Sequence, residues 1–277
     1  MDEYEVPDSA RNGPPVERAK VAGEVMDAAA RLSSEASRLR RIAIEELVAD
    51  GWKRVDIARE LGLNPSWVSR ILSSGVAPER AVLSTDGRPV TVAMGSKTAQ
   101  VGDGNPADMI SSHAAAAFDT IRSAGEAHDI QVEREIVPAP GLVDVNRTNL
   151  IVMGSPKVLP LIGQLVVSDP NIAWSDDEKG RFLVDASVGE LRSPQDFGES
   201  ADTAYIGRLS RPDGHGHFLY LAGIHAAGTH GAAVHLVRHL DEIHREAKDK
   251  LFSMAIRAEY DGNTITGTEQ VTPLYVR

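Results

Sequence analysis

The sequence predicts an α/β protein in two parts: an all-helical unit at the amino end, then a three-layer α/β unit closed by a C-terminal β-hairpin. Three observations carry this. Residues 55–72, VDIARELGLNPSWVSRIL, spell helix, tight turn, helix. From Asp108 onward helical and extended patterns alternate. The run Leu150–Gly154, LIVMG, is continuously apolar and ends in glycine, as a strand covered on both faces does. The expected boundaries are 1–14 for a disordered tail, 15–75 for the helical unit, 76–107 for a linker and 108–277 for the α/β unit.

The elements follow from local chemistry. Met1–Pro14 is acidic and Pro-rich, a composition that does not bury surface. Residues 15–32 place Val16, Ala19, Ala22, Val25 and Ala29 at helical spacing, and 34–50 form a further helix whose Leu39, Ile42, Ile44 and Leu47 are expected to cover the next two. In 55–61, Ile57, Ala58 and Leu61 share a face; Gly62 then permits positive φ and ends the helix. Asn64 supplies an N-cap oxygen, and Pro65 stands where its missing N–H costs nothing. Val68, Ile71 and Leu72 form the buried stripe of the second helix.

Turn residues crowd 78–106, so this stretch reads as a linker with one short strand at 88–94. Beyond it come a helix at 108–127, a half-buried strand at 130–137, the strand at 150–154, a helix from Pro156 to Val167, and strands at 181–186, 204–209 and 218–224. A helix over 232–247 follows. Phe252–Tyr260 and Thr264–Val276, joined at Asp261-Gly262-Asn263, make the hairpin. The expected sheet is mostly parallel.

Residues 38–74 resemble the helix-turn-helix DNA-binding families of the lambda-repressor-like and resolvase/sigma-factor-like kinds. In those families a small residue lets two helices cross, a glycine follows four residues later, and branched apolar residues come six and nine residues beyond it. Ala58, Gly62, Val68 and Ile71 stand at these spacings. The resemblance implies that the second helix enters the major groove of double-stranded DNA. Its exposed side then carries Asn64, Ser66, Trp67, Ser69 and Arg70, with Arg able to bond guanine bidentately. Trp67 either packs against the preceding helix, the favoured reading, or lies over sugar and phosphate. Lys53, Arg54 and Arg59, with Arg38, Arg40 and Arg41 upstream, are placed for phosphates.

Charge tempers that expectation. The whole chain carries −11, whereas residues 38–75 carry seven Lys/Arg against five Asp/Glu. A weakly basic head on an acidic chain predicts low non-specific affinity and points to a homodimer. Cysteine is absent, so no disulfide or thiolate metal site exists. No apolar run approaches the roughly 20 residues of a membrane span, and the acidic start is unlike a secretory signal, so the expected setting is the cytoplasm of a bacterium-like cell with no membrane partner.

Two strand-to-helix junctions are candidate ligand sites. Gly154, Ser155 and Lys157 follow one strand; His225, Gly228, Thr229 and His230 follow another. Backbone N–H groups at a helix N-terminus attract anions, so a phosphorylated or nucleotide-like ligand is expected there. This body resembles Rossmann-like nucleotide-binding domains in pattern only, since neither junction carries a Walker A or GxGxxG motif. His235 and His239 stand at metal-chelating spacing but are expected on the solvent side of their helix, and neither metal nor cofactor is expected. Asp185, Glu190, Asp202 and the junction histidines are the available acid/base groups of an alternative enzymatic body, without a recognisable nucleophile motif. A body that only binds protein, as in a phage, plasmid or defence-system regulator, is the third alternative. The expected function is transcription regulation through DNA, with a ligand-sensing or dimerising body.

Overall fold

The computed structural model describes residues 7–73, 78–84, 88–101, 105–128 and 130–277. It divides into two compact units, Met1–Ala77 and Pro78–Arg277.

The first unit is helical throughout: α1 (Asp8–Arg11), α2 (Pro15–Ala49), α3 (Arg54–Glu60) and α4 (Pro65–Ser73). One helical turn, α1, thus lies within the expected disordered tail, of which residues 1–6 fall outside the described part. The two helices expected at 15–32 and 34–50 are a single helix of 35 residues. Ser33 and Ser34 are too weak a break: serine disfavours a helix only mildly, and neither Gly nor Pro supports it. Ile44, Ile57, Ala58 and Val68 are buried together, with Leu47, Leu63, Ile71 and Leu72 packed around them. Two expected members lie outside this core: Leu39 and Leu61 are exposed. Leu61 is the C-cap of α3, already turning away from the buried face.

The turns after α2 and α3 close by one device. Gly51, at φ +89°, follows the last residues of α2, and Gly62, at φ +63°, follows α3. At the first, Trp52 N–H donates to the Leu47 carbonyl and Gly51 N–H to Val48; at the second, Leu63 N–H donates to Ala58 and Gly62 N–H to Arg59. These paired bonds satisfy carbonyls a helix end leaves open, and they need the left-handed residue that glycine supplies.

The second unit begins with α5 (Pro78–Leu83) and β1 (Val90–Val101), and continues β2 (Asn105–Met109), α6 (Ser112–Ala127), β3 (Val132–Pro138), β4 (Leu150–Met153) and α7 (Pro160–Val166). A small antiparallel sheet of β5 (Ile172–Asp177), β6 (Gly180–Asp185) and β7 (Gly189–Leu191) comes next. Then follow β8 (Ala201–Ser210), β9 (His217–Gly223), α8 (Ala226–Arg238), α9 (Leu240–Ala247), β10 (Phe252–Asp261), β11 (Thr264–Gln270) and β12 (Tyr275–Val276).

The main sheet runs β3-β1-β4-β9 in parallel and then β8-β10-β11 antiparallel, with β2 on the far half of β1 and β12 beside β10. It is a mixed sheet and not the mostly parallel one expected. The six residues between β8 and β9 and the two-residue turn at Gly262-Asn263 are too short for crossovers, so those neighbours must reverse direction.

Alternation along the strands makes two cores. Val92, Ile151, Ile206, Leu221 and Met254 face a layer of α6, α8, α9 and α5 residues; Ala93, Val152, Tyr205, Tyr220 and Ala255 face Leu159, Ile162 and Val166 of the α7 side and Leu183 of the small sheet. The body is therefore α/β in three layers.

The expected linker at 76–107 is corrected here. It holds α5, which packs on α9, and β1, paired on both sides within the sheet. Gly95 is no turn signal but a close approach inside β1: a Cβ there would stand 2.6 Å from Val158 Cγ1. The helix expected from Pro156 starts at Pro160, because Ser155–Val158 forms a turn first.

Candidate nucleic-acid interface

In the helical unit α3 and α4 cross through Ala58, whose small side chain is fully buried beside Val68. Asn64 caps α4 as expected: its Oδ1 accepts from the Ser66 N–H at 3.0 Å and from the Ser66 hydroxyl at 2.9 Å. Both polar groups are thereby engaged with each other. Ser69 is half-buried. Trp67 is 48% exposed on the first turn of α4. Its position three residues after the cap, one residue before the buried Val68, turns it outward. The side chains of Arg38 and Arg70 lie outside the described residues.

Around this turn the cations are solvent-facing. Lys53 and Arg54 are exposed at the start of α3. Arg59 is paired with Asp56 at 3.1 Å on the open surface, a pairing weak enough to be exchanged for a phosphate. Arg40 is exposed, whereas Arg41 is held by Glu45 at 2.7 Å.

The second unit places the expected ligand residues differently. The N-terminus of α8 already holds an anion of its own. Asp202, fully buried on β8, accepts from the N–H groups of His225 (2.9 Å) and Gly228 (2.6 Å) through Oδ2, and from Ser193 Oγ (2.6 Å) and the Thr203 N–H (2.8 Å) through Oδ1. Burial pushes the Asp202 carboxyl up, while Ser193 and the α8 backbone pull it down.

At the expected phosphate cradle the amides of His225 and Gly228 are bonded to Asp202. The glycines serve packing, since a Cβ on Gly228 would lie 2.5 Å from Asp202 Oδ2 and one on Gly223 would lie 2.2 Å from the His225 carbonyl. Thr229 Oγ1 accepts from Gly223 N–H at 2.9 Å, and His225 Nε2 meets Asp196 at 2.7 Å. At the other junction Gly154 O accepts from the Tyr220 hydroxyl, and the Ser155 carbonyl accepts from Val158 and Leu159. Lys157 is exposed in the turn that precedes α7.

His230 faces a residue that sequence reading missed. Its Nδ1 lies 3.5 Å from His113 Nδ1 at the start of α6, and the Tyr260 ring stands edge-on to His113 at 5.7 Å. Burial lowers the pKa of both histidines. Only the contact between α6 and α8 could have revealed this pair, and no local pattern encodes it. A groove of about 650 Å³ runs between the same helices, lined by Ala116, Asp119, Thr120, Ser123, Val237 and His230.

His235 is corrected as well. It is buried rather than solvent-facing, with Nδ1 3.1 Å from Thr268 Oγ1 of β11, because α8 is covered on nearly every side. The acid/base candidates are dispersed. Asp185 Oδ1 is occupied by Ser187, Val188 and Tyr275, and Glu190 pairs with Arg192 at 3.0 Å.

Comparison with known families agrees with the geometry of the first unit. A family model for a homeodomain-like domain of the helix-turn-helix kind matches residues 35–74, the span of α4, α3 and the later part of α2. No curated protein matches the chain. Among the described residues no helix is long and apolar enough to cross a membrane. Residues 35–74 are a helix-turn-helix segment, and DNA is the partner such a segment suggests.

Proposed function

We propose that the protein is a DNA-binding transcription regulator. The observation that carries this is the capped α4, whose first turn presents an exposed Trp67 and Ser66 next to exposed Lys53, Arg54 and Arg59, on a segment matched to helix-turn-helix domains. The N-terminal turn of such a helix meets base edges, and the flanking cations meet phosphates. In this reading Ser69 and Arg70 contact bases. A head of net charge +2 holds a site best in two copies, which supports a homodimer whose contacts come from outside residues 38–75.

The body, in the same reading, senses a small molecule. Since Asp202 is bonded to the His225 and Gly228 amides, the place proposed for that molecule is the open groove between α6 and α8 beside His230. A ligand there changes DNA affinity by favouring one arrangement of two heads.

The test is binding of the full chain to a selected duplex. Ser69→Ala with Arg70→Ala is expected to lower specific affinity at least tenfold while the circular dichroism of the protein stays unchanged. Equal affinity of the double variant and the parent for the selected site overturns the assignment.

A further inference from the structure

Trp67 is the largest apolar side chain on the first turn of α4, and it lies 48% exposed where a helix-turn-helix meets bases. The buried members of the same helix, Val68 with Ile71 and Leu72 packed beside it, point into the core, and the Ser66 hydroxyl is turned back to Asn64. An indole left in water forfeits burial that a core position would supply.

We infer that Trp67 reads thymine: its ring lies against the C5-methyl group of a thymine in the major groove. The inference rests on the proposed DNA-binding reading and adds the base class that it selects. Four base pairs offer hydrogen-bonding edges in that groove, but only A·T pairs offer a methyl group, and an apolar side chain is the complement to it. The exposed cations Lys53, Arg54 and Arg59 hold the duplex without regard to sequence, so base choice falls to the groups on α4.

The test uses the full chain. Sites are first selected from a random duplex library, and each recurring thymine is then replaced by deoxyuridine, which deletes the methyl and nothing else. We expect one thymine per half-site whose replacement weakens binding about fourfold, the worth of burying one methyl group. Trp67→Ala should bind the thymine and uracil sites equally, and Trp67→Phe should keep part of the difference. A parent protein indifferent to every uracil replacement overturns the inference, as does a fourfold effect that persists in Trp67→Ala. Loss in Trp67→Ala that is uniform over unrelated sequences assigns the ring to sugar and phosphate instead and also overturns it. Failure of the full chain to select any sequence removes the DNA-binding reading and this inference together.

Discussion

The turns of the helical unit and the β9–α8 junction of the α/β unit use glycine for opposite purposes. In the helical unit Gly51 and Gly62 stand at positive φ with nothing within 4 Å of an added Cβ: they are there for backbone conformation. In the α/β unit Gly223 has ordinary backbone angles but no room, since a Cβ would meet the carbonyl of His225 at 2.2 Å and the amide of Thr229 at 2.4 Å. The first kind can be read from a sequence, because a helix end announces it. The second kind depends on which strand and helix meet, and only the fold reveals it.

The difference predicts the sizes of two substitutions, the larger in the body. Gly223→Ala sets a methyl against backbone on every side, and backbone has no rotamer by which to yield. Relief requires moving α8 off β9, which also pulls the His225 and Gly228 amides from Asp202. The expected cost is at least about 4 kcal/mol, near the top of the range for single changes. Urea titration followed through the tyrosines of β8 and β9 measures it. A cost below 1 kcal/mol would show that the junction is looser than the packing around Gly223 implies.

Buried histidine separates the units in the same way, since the helical unit contains none. Burial lowers His235 to about 3, with His239 and Arg238 adding to the shift, and lowers His217 to about 4, with Arg208 adding to it. In the unfolded chain both return to about 6.5. Between these values the unfolded state binds more protons, so stability rises with pH there. The body is accordingly most stable above about pH 6.5 and loses stability as the pH falls. His235 alone contributes a loss of about 3 kcal/mol by pH 4.5. Denaturation of the parent and of His235→Gln across pH 7.5 to 4.5 checks this; equal pH slopes for the two proteins would remove His235 as a cause.

What the sequence made legible follows the same division. The turn at Gly62, the Asn64 cap, Pro65 at the start of α4 and the buried Ala58 and Val68 were all readable, because each is a contact within a few residues. For Trp67 the spacing says which residues share its face, but not how much of the ring stays exposed. In the body the buried strand at 150–153 and the final hairpin were legible from apolar runs and turn chemistry. The strand β1 was legible only in its first half, at 88–94. Its Gly95 and the turn residues on either side hid a longer strand whose partners in β3 and β4 stand 42 or more residues later. The partner of the α8 N-terminus was hidden for a related reason. Glycines beside a helix N-terminus look the same whether an external phosphate or an internal carboxylate completes them, and Asp202 reaches α8 from 23 residues upstream of its first contact.

The smaller substitution lies in the head. Gly62→Ala meets no atom, so its cost is that of holding a β-carbon at φ +63°, about 1 to 2 kcal/mol. The bonds Leu63 N–H to Ala58 and Gly62 N–H to Arg59 survive, because alanine keeps both amides. The head should therefore still fold and still bind DNA, but melt several degrees lower. Gly62→Asn should recover part of the loss, since asparagine tolerates the left-handed region better than alanine does. Thermal melts of the two variants followed by Trp67 and Trp52 fluorescence distinguish the causes. A conformational penalty ranks glycine above asparagine above alanine. If asparagine proves worse than alanine, size rather than backbone angle governs the site, and the contrast with Gly223 breaks down.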